Sequence, residues 1–212
     1  MAEGILREYR KFDTCAVADA LHEHGIDGVV DGPSAVSPTH TAVGLATPMQ
    51  FERVTESDEL TNFPYAMLDE LAPGRMFVID APSDTISCWG GRASMLAANA
   101  GVNGVVINGG CRDIAEIRES DLPVFSTGHT PRTGQRRVRV SSVDEPITVS
   151  GIDVSSGDIV VADATGVVVV PRDVAGEVLQ TADEIFSREA LLEAKIENGA
   201  SVDDLQKKQY EF

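Results

Sequence analysis

Residues 108–133 read NGGCRDIAEIRESDLPVFSTGHTPRT, and the fold turns on this stretch. It is entered from an apolar run at 104–107, GVVI, which describes a buried strand. Asn108-Gly109-Gly110 then reads as a turn that brings backbone close to whatever lies above it. Cys111, Arg112 and Asp113 come next, followed by a short helix over 114–120 and a strand, PVFST, at 123–127. Strand, turn, helix and strand in this order belong to the α/β class. An arginine beside an aspartate at the mouth of such a unit has two chemical uses. Arg112 offers a planar fork of donors to a carboxylate or an enolate oxygen. Asp113 offers hard oxygens to a divalent cation. The same pair has an equally good structural reading, in which Asp113 caps the helix and Arg112 pairs with a surface acid.

One strand–helix–strand step upstream lies CWGGRASMLAANAG, residues 88–101. Gly90-Gly91 opens a helix there, and Gly101 closes it. Free amides at a helix start bind anions, and the two glycines leave room for a small carboxylate to reach the backbone. An ordinary strand-to-helix turn would read the same way. The spacing adds weight, because it puts the Gly90 and Arg112 loops at one edge of a sheet.

Taken together, WGG at 89–91, NGGCRDIAEI at 108–117 and PVFSTGHTPR at 123–132 resemble the regulator of ribonuclease activity A (RraA)-like family. That family includes the 4-hydroxy-4-methyl-2-oxoglutarate aldolases. AVADAL at 16–21 and GDIVVADATGVVVVP at 157–171 fit the same pattern, so the resemblance runs from residue 13 to residue 205. It implies a layered αββα fold of the swivelling β/β/α type, one domain over 1–212, assembled as a homotrimer or a hexamer. It also implies that Gly90, Gly91, Arg92 and Ala93 bind the pyruvoyl part of a small 2-oxo acid, mostly through backbone amides. Arg112 would contact the substrate, and Asp113 would hold magnesium or manganese with waters completing the shell. Glu189, in the last long helix, would stand near a neighbouring subunit's site. One departure is visible: many aldolases of the family carry Asp or Glu where this chain has Gly91.

The rest of the chain sets bounds. Its 212 residues are 42% hydrophobic, enough for one domain with a proper core. No apolar run approaches the roughly 20 residues that span a membrane. The N-terminal MAEGILREYRKF lacks the apolar core of a secretory signal, so a soluble, cytoplasmic protein is expected. Cys15, Cys88 and Cys111 have no paired spacing and make neither a disulfide framework nor a zinc signature. Cys111 reads as a small, semi-buried residue under the loop; a nucleophilic role would need an activating partner that its neighbours in sequence do not supply. With 34 acids against 17 bases the net charge is −17, which opposes binding to nucleic acid phosphates. Acid-rich, lysine-poor composition is also that of a high-salt cytoplasm, and a halophilic source is expected.

The four lysines, Lys11, Lys195, Lys207 and Lys208, lie near the chain ends in polar contexts. A Schiff-base aldolase needs a lysine in an apolar or cationic pocket, so an aldolase built on this chain would use a metal instead. Further helices are expected over 5–12, 15–24, 63–71, 173–198 and 202–209. Strands are expected over 42–54 (bent at Pro48), 75–81, 85–89, 147–149, 158–162 and 167–170, with a loop over 28–40. The basic island at 136–139, RRVR, reads as a charge-guarded edge strand or a subunit contact. Asp19 and Glu23 read as a solvated helix face, and His129 as a polar loop residue. The apolar residues of 173–198 spread too widely for one face, which suggests contact with another subunit.

The function expected is metal-dependent retro-aldol cleavage of a 4-hydroxy-2-oxo acid to pyruvate, with oxaloacetate decarboxylation as a side activity. The competing expectation is a protein that binds and inhibits a ribonuclease. A methyltransferase is disfavoured, since no glycine-rich cofactor loop of the usual kind is present.

Overall fold

The computed structural model describes residues 2–54, 73–201 and 205. In chain order the elements are α1 (Ala2–Tyr9), α2 (Thr14–Glu23), β1 (Ser34–Ala35), β2 (Ala42–Arg53), β3 (Arg75–Asp80) and β4 (Ser87–Trp89). They continue with α3 (Gly91–Asn99), β5 (Gly104–Cys111), α4 (Ile114–Glu119), β6 (Val124–His129), β7 (Val138–Val143) and β8 (Ile147–Val149). The last are β9 (Ile152–Val154), β10 (Ile159–Ala162), β11 (Val167–Val170) and α5 (Ala175–Glu197).

The main sheet runs β1-β6-β5-β3-β2-β10-β11, with β4 added to β5 and β7 added to β2. Its centre is parallel, from β2 through β3 and β5 to β6, and its outer pairings are antiparallel. Two strands change neighbours along their length. β2 pairs with β10 over Ala42 to Leu45 and with β7 over Met49 to Arg53. β5 pairs with β3 up to Asn108, and β4 then takes that side at Gly110 and Cys111.

Strand alternation sorts the core into an inside and two outsides. Met76 and Val78 of β3 point inward with Ala46, Val106, Phe125, Val160 and Val169, and the β8–β9 hairpin closes over the same cluster. Phe77 and Ile79 point outward against Ala93 and Ala97 of α3 and Ile117 of α4. Val43, Ile159, Val161 and Val168 point outward against α1, α2 and α5. The sheet therefore curls around one apolar interior, nearly closed, with helices outside it on two sides. This is the layered α/β arrangement expected from the sequence.

Local chemistry fixes the ends. Asp13 caps α2 by accepting from the Ala16 amide at 2.8 Å, and Gly25 stops that helix at a φ of 69°. The turn between β10 and β11 is tied to α2 through Asp163, whose carboxylate accepts from the Thr14 amide and hydroxyl at 2.9 and 2.8 Å. β7 begins within the basic island of 136–139, at Val138, and pairs with β2, with Arg139 ion-paired to Glu52.

Several expectations need correcting. Residues 108–110 are not a turn: β5 runs through them to Cys111, because β4 arrives to pair with that end. The strand absorbs the change as an irregularity between Ile107 and Gly110, where Gly109 takes a φ of 155°. The register of β2 with β7 shifts between Gln50 and Phe51, an irregularity the sequence did not announce. The first helix lies earlier than 5–12, and β1 and β9 were not anticipated. Helix 63–71 lies outside the described residues, as does nearly all of 202–209. Among the described residues, no helix is long and apolar enough to cross a membrane.

Candidate functional site

The ends of β4 and β5 lie side by side at the carboxyl edge of the parallel strands, where open α/β sheets bind ligands. The Gly90 loop leaves β4 there and the Arg112 loop leaves β5. The two are stitched together by backbone, with the Arg112 amide donating to the Trp89 carbonyl at 3.1 Å. Ser87 and Ser94, both buried, hold the turn from either end. Ser87 Oγ donates to the Trp89 carbonyl at 2.6 Å, and Ser94 Oγ donates to the Gly90 carbonyl at 3.3 Å. The Trp89 ring nitrogen donates to Ser94 Oγ at 2.8 Å, and the ring packs edge-on to Phe77 in the core.

Asp113 sits in the left-handed region at φ 57°, ψ 42°, which Asp tolerates better than most residues. That conformation turns its carboxylate away from its own helix. No side-chain cap is made to α4; instead Oδ2 accepts from the Gly91 amide, the first of α3, at 3.2 Å. The helix-cap reading of Asp113 is thereby overturned. Arg112 does not reach out to a distant surface acid either: its Nε lies 3.4 Å from Asp113 Oδ2, and both side chains are about one-third exposed. Oδ1 accepts no hydrogen bond among the described residues. Gly90 is pressed under this pair, since a Cβ there would stand 2.7 Å from Asp113 Oδ2 and 3.1 Å from Arg112 Cγ.

With the Gly91 amide engaged by Asp113, two amides of the α3 start remain without an intrahelical acceptor, those of Arg92 and Ala93. Arg92 and Ala93 line a cleft of about 270 Å³ together with Gly90, Arg112 and Asp113. Phe51, Trp89 and Val138 add apolar lining, and Ser87, Thr133 and Gln135 neutral polar lining. Arg112 and Asp113 also face a second opening, shared with His129 and Thr130. Five of the residues singled out in the sequence, Gly90, Arg92, Ala93, Arg112 and Asp113, thus line one cleft, and the Gly91 amide donates to Asp113.

Glu189 does not join them within this chain. It is exposed on α5, which packs against α1 and α2 on the other side of the sheet. Glu116 was missed by the sequence reading. Its carboxylate rests where Gly91 has no side chain: a Cβ on Gly91 would fall 2.0 Å from Glu116 Oε2. This chain thus sets an acid of α4 against the bare face of Gly91. The i, i+3 spacing of Asp113 and Glu116 was the available signal. Thr133, Gln135 and Phe51 had none, because β2 and β7 deliver them from far along the chain.

Burial disfavours the thiolate form of the two cysteines next to the Gly90 and Arg112 loops. Burial, with Cys111 nearby, pushes the Cys88 thiol up to about 12. Cys111 is fully buried, with its thiol raised by the same cause and its Sγ 3.2 Å from Ser126 Oγ.

Among the described residues no group of three or more His, Cys, Asp or Glu side chains converges as a metal cage. A single hard carboxylate with one free oxygen suits magnesium or manganese, which keep several waters and take one or two protein carboxylates. It does not suit structural zinc.

Fold and cleft together define an α/β protein in which a helix start, an arginine and an aspartate carboxylate meet at the carboxyl edge of the parallel strands. The chain belongs to the RraA-like family: that family's model, Aldolase/RraA, matches residues 14–169. A putative 4-hydroxy-4-methyl-2-oxoglutarate aldolase of Halalkalibacterium halodurans is 28% identical over 179 residues, covering 84% of this chain and 81% of that protein. Protein DlpA of Legionella pneumophila is 27% identical over 206 residues, and the chain spans 33% of its length. The crystal structure of Streptomyces coelicolor RraAS2, described as an unusual member of the RNase ES inhibitor RraA protein family, superposes with a TM-score of 0.83. It is 28% identical, with 91% of this chain and 98% of that one covered.

Proposed function

We propose that the chain is a divalent-metal-dependent aldolase. It would cleave 4-hydroxy-4-methyl-2-oxoglutarate, or a related 4-hydroxy-2-oxo acid, to pyruvate, and decarboxylate oxaloacetate as a secondary activity. The observation that carries this reading is the one cleft lined by Arg112, Asp113 and the helix-start residues Arg92 and Ala93. Magnesium or manganese, held through Asp113, would supply Lewis-acid stabilisation of negative charge on the substrate oxygens. The amides of Arg92 and Ala93 orient the substrate carboxylate. Loss of the 4-hydroxyl proton turns the C4–O bond into a carbonyl as the C3–C4 bond breaks. The electron pair of that bond becomes a pyruvate enolate, whose oxygen Arg112 receives with donated hydrogen bonds. Glu116 is the acid this chain offers for the hydroxyl proton. The enolate then takes a proton at C3 and leaves as pyruvate. Oxaloacetate reaches the same enolate by losing carbon dioxide.

The test is pyruvate release from oxaloacetate with magnesium or manganese, and then with EDTA, at low and high salt. Release should depend on the metal and vanish in Asp113→Asn, a variant that keeps the left-handed backbone but loses the charge. Arg112→Ala should lower the rate by roughly two orders of magnitude, as loss of one oxyanion donor does. Unchanged release in either variant sinks the assignment. The Streptomyces neighbour supports a second reading, a protein-binding regulator of a ribonuclease. Capture of a ribonuclease by a folded protein with no turnover would favour it.

A further inference from the structure

We propose that residues 85–143 give the cleft a locally positive entrance in an otherwise acidic molecule, and that Arg132 and Arg136 at its rim draw anionic ligands in through their field, without touching them. This rests on reading the cleft as a 2-oxo acid site.

The chain segregates its charge. Residues 85–143 hold seven arginines, no lysine and four acids, Asp113, Glu116, Glu119 and Asp121, a formal charge of +3. The whole chain carries −17, so the rest of it carries −20. All four of those acids lie within 113–121, and the runs 85–112 and 122–143 contain none. The fold brings the two acid-free runs together: with Asp113 they supply every residue that lines the cleft except Phe51. Two of the arginines are answered by carboxylates, Arg112 by Asp113 and Arg139 by Glu52. Arg137 braces the cleft wall, its guanidinium donating to the Thr133 carbonyl at 3.2 Å. Arg132 and Arg136 are exposed, do not line the cleft, and bracket the lining residues Thr133, Gly134 and Gln135 in the chain.

That placement decides how they act. An anion approaching a molecule of charge −17 is repelled from most directions. At the cleft the surplus is of the opposite sign, and a concave site with low-dielectric walls concentrates such a field. The field reaches about 10 Å at 0.1 M salt, so a charge beside a lining residue is felt in the cleft whichever way its side chain points.

The probe is 2-oxoglutarate, a dianion, titrated calorimetrically into the full chain with magnesium. Potassium chloride is set at about 0.1 M and about 1 M, between which the screening length falls from about 10 Å to about 3 Å. The proteins are wild type, Arg132→Gln/Arg136→Gln, Arg132→Glu/Arg136→Glu and a control, Arg172→Gln/Arg188→Gln. The control removes the same charge beside and on α5, which packs on the other side of the sheet. At the lower salt the glutamine pair should weaken binding about threefold and the glutamate pair about tenfold, because the free energy of a field effect is proportional to the charge changed. At the higher salt both should come within about twofold of wild type, which a lost contact or a distorted wall would not do. The control should bind as wild type does at both salts, and melting curves check that each protein is folded at each salt. A glutamine pair that binds like wild type at the lower salt, a loss that persists at the higher, or an equal loss in the control overturns the positive entrance and leaves the oxo-acid site standing. No binding by wild type at either salt overturns both.

Discussion

At the scale of single residues, the site depends on one backbone choice. Asp113 adopts the left-handed conformation, and so its carboxylate serves the start of α3 instead of capping α4. Glu116, one turn further on, is carried to the bare face of Gly91 by the same geometry. Its proposed task is to take the hydroxyl proton in aldol cleavage, and this separates two reactions that share an enolate. Aldol cleavage has a hydroxyl proton to lose, whereas decarboxylation of oxaloacetate has none. Glu116→Gln should therefore lower pyruvate release from a 4-hydroxy-2-oxo acid by about a hundredfold or more, typical of a lost general base. Release from oxaloacetate should stay within a few fold. Equal losses on both substrates would move Glu116 from the proton to the shared enolate.

At the scale of elements, the cleft is held in shape by a backbone laid on glycines. The segment from β3 to β4 crosses β5 and β6 so closely that side chains are excluded. A Cβ at Gly110 would stand 2.5 Å from the Asp84 carbonyl oxygen and 2.8 Å from that of Ile86, and one at Gly128 would stand 2.8 Å from the Asp84 carbonyl oxygen. These are backbone atoms and cannot swing aside. Gly110→Ala should destabilise by about 1–3 kcal/mol, as overpacking does, and lower the melting temperature by several degrees. Gly176→Ala, with nothing within 4 Å of the added carbon, is the control and should not lower it. Calorimetric melts of the two variants decide the matter. This crossing explains what the sequence could and could not say. Arg112, Asp113 and the Gly90–Gly91 helix start were legible because each lies in a contiguous motif at the end of a strand. The passage of β5 through Asn108-Gly109-Gly110 was not, because Gly-Gly signals a turn and a close crossing equally well. Only the arrival of β4 distinguishes them. Thr133 and Gln135 were illegible for a related reason: they lead into β7, which pairs with β2 from far along the chain, a long-range pairing with no local signature.

At the scale of the whole molecule, charge and apolar surface meet on α5. Its inner face is buried through Ala175, Val178, Ala182 and Ile185, but Phe186, Leu191 and Ile196 remain 48%, 65% and 52% exposed. The same helix carries Glu177, Asp183, Glu184, Glu189, Glu193 and Glu197 against Arg188 and Lys195. A homotrimer or hexamer that buried this face, with Glu189 brought towards a neighbouring cleft, would gather acids from several copies whose charge is already −17 each. In dilute buffer that repulsion opposes both folding and assembly. Salt shortens its reach, from about 10 Å at 0.1 M to about 3 Å at 1 M, while strengthening the burial of apolar side chains when the anion is strongly excluded. Chloride is not such an anion, so potassium chloride isolates the screening effect. The melting temperature should rise by several degrees or more between about 0.1 M and about 2 M potassium chloride, an ionic-strength range that removes most long-range repulsion. Light scattering should show the larger species gaining over the same range. Leu191→Glu, placed on the exposed apolar face, should abolish the assembly and leave the salt-dependent rise of the monomer's melting temperature. A melting temperature and mass that ignore salt would remove the halophilic reading, and a Leu191→Glu protein that still assembles would place the subunit contact elsewhere.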